Sequence, residues 1–236
     1  MKSFKQAYDN IFGLGHDCSV AYQLRENDLR KASGPFDWNS TDDLSIITDN
    51  LGDRFSRLFL PENMAMDIRQ DEESDYYIYT DTATGIKSFH DIAKSGNNIT
   101  ESLIGLNAMF RRRIDRFFEL VHKGNKTLFI RKMAPGDDLA ALSRALSDIF
   151  PGKCVILGVN HVKNILIATT KMSDDVFISH MDCDCDDSSQ TMDFCGNFQN
   201  WNWLLKAFCE LANPTPALPY VRHEGVKKIL YGGGKA

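Results

Sequence analysis

The spacing of apolar positions changes period several times along the chain, and each change marks an element. A short apolar run at Ile11 and Phe12 ends in Gly13 and Gly15, and helical spacing begins at Val20, Ala21 and Leu24. That order reads as strand, tight turn and helix. Leu44, Ile47, Leu51, Phe55 and Leu58 fit a helix from Asp42 to Phe59, with Thr41 or Asp42 as N-cap. Residues 66–90 read as extended, with a hairpin formed by Tyr76–Tyr79, a turn over Asp81–Gly85, and Ile86–His90. The strongest helix covers 100–122, where Leu103, Leu106, Phe110, Ile114, Phe117 and Val121 share a face and Gly124 is the stop. A strand over Thr127–Arg131, a helix over Asp137–Phe150 and a strand over Lys153–Gly158 follow. Two further strands (Asn164–Thr170, Asp175–His180) and a helix over Trp201–Leu211 complete the pattern. This βαβ rhythm predicts an α/β fold, a mainly parallel central sheet flanked by helices in three layers. Residues 1–236 are read as a single domain, with 213–236 a Pro-rich irregular tail over its surface.

Composition narrows the classes. With 236 residues, 43% hydrophobic and 25% charged, the chain suits a globular domain with a substantial core. A net charge of −5 argues against a general nucleic-acid partner. The cluster Arg111, Arg112, Arg113 and Arg116 is read as a solvated or ion-paired helix face, with a phosphate contact the lesser alternative. No apolar run is long enough to span a bilayer, and the N-terminus lacks the apolar core of a signal peptide. Six cysteines without an export signal point to free thiols in a reducing, cytoplasmic setting.

The turn after the first strand carries the chemistry. Cys18 falls at the start of a helix, where unpaired N–H groups and a partial positive charge favour thiolate over thiol and can receive an oxyanion. A space-filling buried cysteine is the bland alternative. Gly13-x-Gly15 begins a dinucleotide fingerprint, but Cys18 occupies the place of its third glycine. His16 is close enough in sequence to steer a substrate or lower the thiol pKa, although the turn would aim it away. Asp17 would raise that pKa if near, and so requires compensation.

Leu14-Gly15-x-x-Cys18-Ser19-Val20-Ala21, read with Leu29-Arg30-x-x-Ser33-Gly34-Pro35-Phe36-Asp37-Trp38, resembles a bacterial family of papain-like cysteine peptidases. Ser88-Phe89-His90-Asp91 looks like its histidine motif, and Arg113-x-x-Arg116-Phe117 with Leu128–Arg131 fits its middle section; the likeness covers about residues 8 to 160. The resemblance implies Cys18 as nucleophile and His90 as base, and its name implies an α+β alternative to the α/β fold. The imidazole then needs an orienting acceptor. Asp91 would point to the opposite face of a strand. Asp37 is the other candidate, unless its side chain only forms the turn through N–H groups near Trp38 and Asn39. His16, Asp17, Ser19 and Trp38 are read as substrate-binding, for a small-molecule, peptide or glycan substrate. No cofactor is expected.

Three rival readings compete. Gly15-His16-Asp17-Cys18 is also similar to the Gly-Asp-Ser block of the SGNH esterases, and Gly158–His161 to their Gly-x-Asn-Asp block. Asn160 would then be an oxyanion donor, but no Asp-x-x-His pair near the C-terminus completes the set. His180, Cys183, Cys185 and Cys195 supply soft ligands, yet Cys-x-Cys is a poor zinc chelate and the aspartates around it suit a solvated loop, so no metal site is assigned. Finally, the arginines with Trp201 and Trp203 would fit a nucleotide-sugar or polysaccharide-related transferase or binding protein in which Cys18 is structural.

Overall fold

A computed structural model describes residues 5–66, 75–95, 98–163, 165, 167–182 and 196–212. The tail from 213 and the loop holding Cys183, Cys185 and Cys195 lie outside the described residues.

Strands β1 (Gln6–Tyr8) and β2 (Asn10–Gly13) precede α1 (Ser19–Glu26), β3 (Asn39–Ser40) and α2 (Leu44–Gly52). Next come β4 (Met64–Met66), β5 (Tyr76–Asp81), β6 (Lys87–Ala93) and α3 (Ile99–Lys123). The remainder is β7 (Lys126–Lys132), α4 (Leu139–Ile149), β8 (Lys153–His161), β9 (Ala168–Lys171), β10 (Val176–Met181), α5 (Phe198–Phe208) and β11 (Cys209–Leu211). The main sheet has the order β2-β7-β8-β10-β9, parallel except for β9. A smaller antiparallel sheet, β3-β6-β5-β4, lies between α1 and α3 in sequence, and β1 pairs in parallel with β11.

The parallel strands are apolar on both faces, as strands covered on two sides must be. Phe12, Phe129 and Ile156 turn to one face, where α2, α3, α4 and residues of the small sheet cover them. Ile11, Leu128, Ile130, Val155, Leu157 and Phe177 turn to the other, under α1 and α5. The expected three-layer α/β architecture is therefore present. Aromatic rings lock the first face: Phe12 meets Phe117 edge-on at 4.8 Å, and Phe129 stacks near Phe150 at 6.2 Å.

Several boundaries differ from the pattern. Helix α2 ends at Gly52, because Arg54, Phe55 and Phe59 adopt left-handed backbone; Phe55 and Leu58 still enter the core from a turn. Its N-cap is Asp43, which accepts from Ser45 N at 2.7 Å, rather than Thr41 or Asp42. Gly124 does end α3, but with ordinary extended backbone. Helix α5 begins three residues before Trp201, and the last residues of the expected helix form β11 instead.

Candidate active site

The site is built where β2 gives way to α1, at the carboxyl end of the parallel strands, the end where open α/β sheets bind ligands. Strand pairing persists to Leu14, whose N–H donates to Ile130 O at 2.8 Å. The chain then reverses through two consecutive left-handed residues, Gly15 (φ 69) and His16 (φ 65). Gly15 is doubly required, since a Cβ there would also lie 2.4 Å from Thr41 Oγ1. Cys18 follows as the N-cap of α1, 8% exposed, and its carbonyl accepts from Tyr22 N at 3.0 Å. Cys18 is thus a buried residue at the start of its helix.

Two consecutive residues at the end of β7 grip this turn. Arg131, completely buried, donates to Leu14 O at 3.0 Å and to Thr41 Oγ1 at 2.8 Å. Its remaining charge is met by Asp137 at 2.9 Å. Thr41 Oγ1 in turn accepts from His16 N at 3.1 Å. Lys132 forms an ion pair with Asp17, while the other Asp17 oxygen accepts from Ser19 N at 2.8 Å.

A second group gathers around the Gly34–Trp38 turn. Asp37, 3% exposed, accepts from Arg30 Nε at 3.1 Å and from Gly34 N at 2.8 Å. Arg25 and Arg30 lie over the Trp38 ring at 5.1 and 5.3 Å from its centroid. Arg113, reaching inward from α3, feels the charges of both Asp91 and Asp37. Burial pushes the Asp37 carboxyl above its ordinary range against the opposing pull of Arg30, and burial does the same to Asp91, which accepts from Ser88 Oγ at 2.9 Å. His90 stands on β6, exposed to solvent, with its ring beside those of Tyr76 and Phe89. Partial desolvation by its neighbours lowers the pKa of its imidazole, outweighing the charge of Asp91.

The two groups meet at Gly13, where a Cβ would sit 3.2 Å from both Asp37 Oδ1 and Val20 Cγ1. Pairing of Asn39 with Ser88 brings β6 alongside the turn that carries Asp37 and Trp38.

Several expectations are corrected. Asp37 does not hydrogen-bond His90; Arg30 and Gly34 occupy one oxygen, and the other has no hydrogen-bond partner among the described residues. Its turn-forming bond goes back to Gly34, not forward to Trp38 or Asn39. Ser19 is fully buried, so its hydroxyl cannot face a substrate, and its N–H is engaged by Asp17 rather than offered to an oxyanion. Asn160 Nδ2 lies 3.2 Å from His180 Nδ1, so the rival oxyanion donor is also engaged. The arginines do not form one solvated face: Arg111 donates to Phe55 O at 2.9 Å, and Arg113 turns toward the buried carboxylates. Trp201 is core, whereas Trp203 is half exposed on the outer side of α5 beside Lys206. Among the described residues, no helix is long and apolar enough to cross a membrane.

The fold and this turn define an α/β protein with a thiol at the junction of the first parallel strand and its helix. The family described as "Putative papain-like cysteine peptidase" matches residues 9–151, and the chain belongs to that family. An uncharacterized protein of Acanthamoeba polyphaga mimivirus is 33% identical over 139 residues, covering 52% of this chain. The chain spans 61% of that relative's length. No solved structure matches.

Proposed function

We propose that the protein is a thiol-dependent hydrolase or acyltransferase acting on an amide or ester, with Cys18 as nucleophile and His90 as general base. The observation that carries this reading is the position of Cys18. It caps a helix at the carboxyl end of a parallel sheet, in a turn fixed by two basic residues of β7. Family membership supports the same chemistry.

In the reaction, the imidazole of His90 takes the thiol proton as sulfur bonds to the carbonyl carbon. The tetrahedral oxyanion collapses to a thioester, and the leaving amine or alcohol departs with the proton held on the imidazole. Water, or another nucleophile in an acyltransferase, then attacks the thioester while His90 accepts its proton. The released sulfur recovers a proton and the cycle closes. A base must be neutral to act, and the lowered pKa of the His90 imidazole favours that form. Trp38, with its flanking arginines, and His16 are the groups we assign to substrate contact, the substrate being a small molecule, peptide or glycan conjugate.

His16 is the competing base. Its Nδ1 is buried and has no hydrogen-bond partner among the described residues, and it is two residues from the thiol. Iodoacetamide labelling with peptide mapping at about pH 6 separates the readings. Selective alkylation of Cys18 that is lost in His90→Ala and kept in His16→Ala is the expected result. The reverse pattern transfers the role to His16. Labelling of Cys18 no faster than that of Cys154 and Cys209 makes the thiol structural and favours the transferase or binding-protein alternative.

A further inference from the structure

Asp17 poses a problem for a reactive neighbour. Its carboxylate sits at the first turn of α1, capping Ser19 N, and a negative charge one residue from Cys18 opposes a second one on sulfur. The charged and titratable groups around the turn are Asp17 and His16 from the turn itself, Arg131 and Lys132 from β7, Asp37 across Gly13, and Asp42 beyond Thr41. Arg131 is committed to Asp137 and to main-chain carbonyls. Asp42 is held by Lys87 at 2.9 Å. Among these groups, Lys132 is the one that pairs with Asp17.

Strand geometry explains why it can. Leu128 and Ile130 point to the face covered by α1, so Lys132, two residues further along β7, points there too. Arg131 points to the other face, and the pair holds the turn from both sides of the sheet. Lys132 and Asp17 side chains are only 15% and 28% exposed, so water screens them less than a surface pair.

We propose that Lys132 is a positioning residue for the nucleophile: its ammonium neutralises Asp17, letting that carboxylate cap α1 without repelling negative charge on Cys18. This rests on the reading of Cys18 as nucleophile. The test follows Cys18 alkylation against pH in Lys132→Met, Asp17→Asn and the double variant. Asn keeps the capping oxygen and loses the charge. Lys132→Met is expected to slow labelling at about pH 6 by about three- to tenfold and move the profile to higher pH, the size expected of one uncompensated nearby carboxylate. Asp17→Asn is expected to speed it, and the double variant to return within about twofold of the starting protein. A merely structural role would change rates at every pH without moving the profile. An unmoved profile in both single variants, with Cys18 still selectively labelled in the unaltered protein, overturns the assignment of Lys132. An unaltered protein whose Cys18 resists labelling overturns the nucleophile reading itself.

Discussion

The two ends of the parallel sheet are built on opposite principles. At the amino end, polar groups answer one another and the backbone packs tightly. Asp9 accepts from Asn125 N at 2.8 Å and Lys126 N at 3.0 Å, and Lys153 pairs with Asp175 at 2.8 Å. The thiol at that end, Cys154, is buried in the core, and burial pushes it up to about 11. Cys209, at the C-cap of α5, is pushed up to about 12 for the same reason. At the carboxyl end, two left-handed residues in a turn held from both faces lead into Cys18, and among the described residues His16 Nδ1 has no hydrogen-bond partner. All three cysteines are buried, so what sets Cys18 apart is its place at a helix start in a turn held by two basic residues.

The contrast can be broken at measurable points. Arg131→Met should cost the most, about 3–5 kcal/mol in a urea titration, because Asp137 would remain buried without its partner. A loss under about 1 kcal/mol would mean the clamp contributes little to holding the turn. Gly152→Ala and Gly15→Ala then sharpen the comparison. A Cβ at Gly152 would lie 2.6 Å from Gly124 O, so the amino end should lose roughly 1–3 kcal/mol while Cys18 keeps its labelling rate. Gly15→Ala should cost roughly 1–2 kcal/mol for the left-handed backbone alone and should also abolish selective labelling of Cys18. Equal effects of the two substitutions on Cys18 would erase the distinction between the ends.

The smallest effect is one of pH. The folded protein holds the His90 imidazole below 6.5, so the unfolded chain takes up that proton first as pH falls. His90 therefore leaves stability untouched above about 6.5 and lowers it progressively as pH drops through the depressed value. His90→Gln should flatten the melting-temperature profile across that interval. A steeper profile in the variant would reverse the sign and contradict the lowered pKa of His90.

Much of this was legible in the sequence for local reasons. Helix α3 announces itself because six apolar residues recur on one face, and the strands because Leu128–Ile130 and Val155–Leu157 are continuous apolar runs. Gly13, Gly15 and Cys18 mark the turn because glycine is the residue that reverses a chain cheaply. The end of α2 was not legible, since Phe55 and Leu58 continue the helical spacing while reaching the core from a turn in which Arg54, Phe55 and Phe59 are left-handed. Nor were the partners of the site. Nothing near Asp17 in the chain points to Lys132, 115 positions away, and nothing in Arg111–Arg113 says that one arginine turns inward toward Asp37 and Asp91. Those pairings exist only once β7 and α3 are packed. Residues 153–181 supply β8, β9 and β10 from beyond the family match, and their role in completing the sheet likewise appears only in three dimensions.

Covalent capture tests the central proposal most directly. Incubation with p-nitrophenyl acetate, followed by rapid quench and peptide mass mapping, should find one acetyl group on Cys18, none on Cys154 or Cys209, and none anywhere in Cys18→Ala. An acetyl group distributed over surface lysines with Cys18 unmodified, or release of p-nitrophenol undiminished in Cys18→Ala, would contradict it.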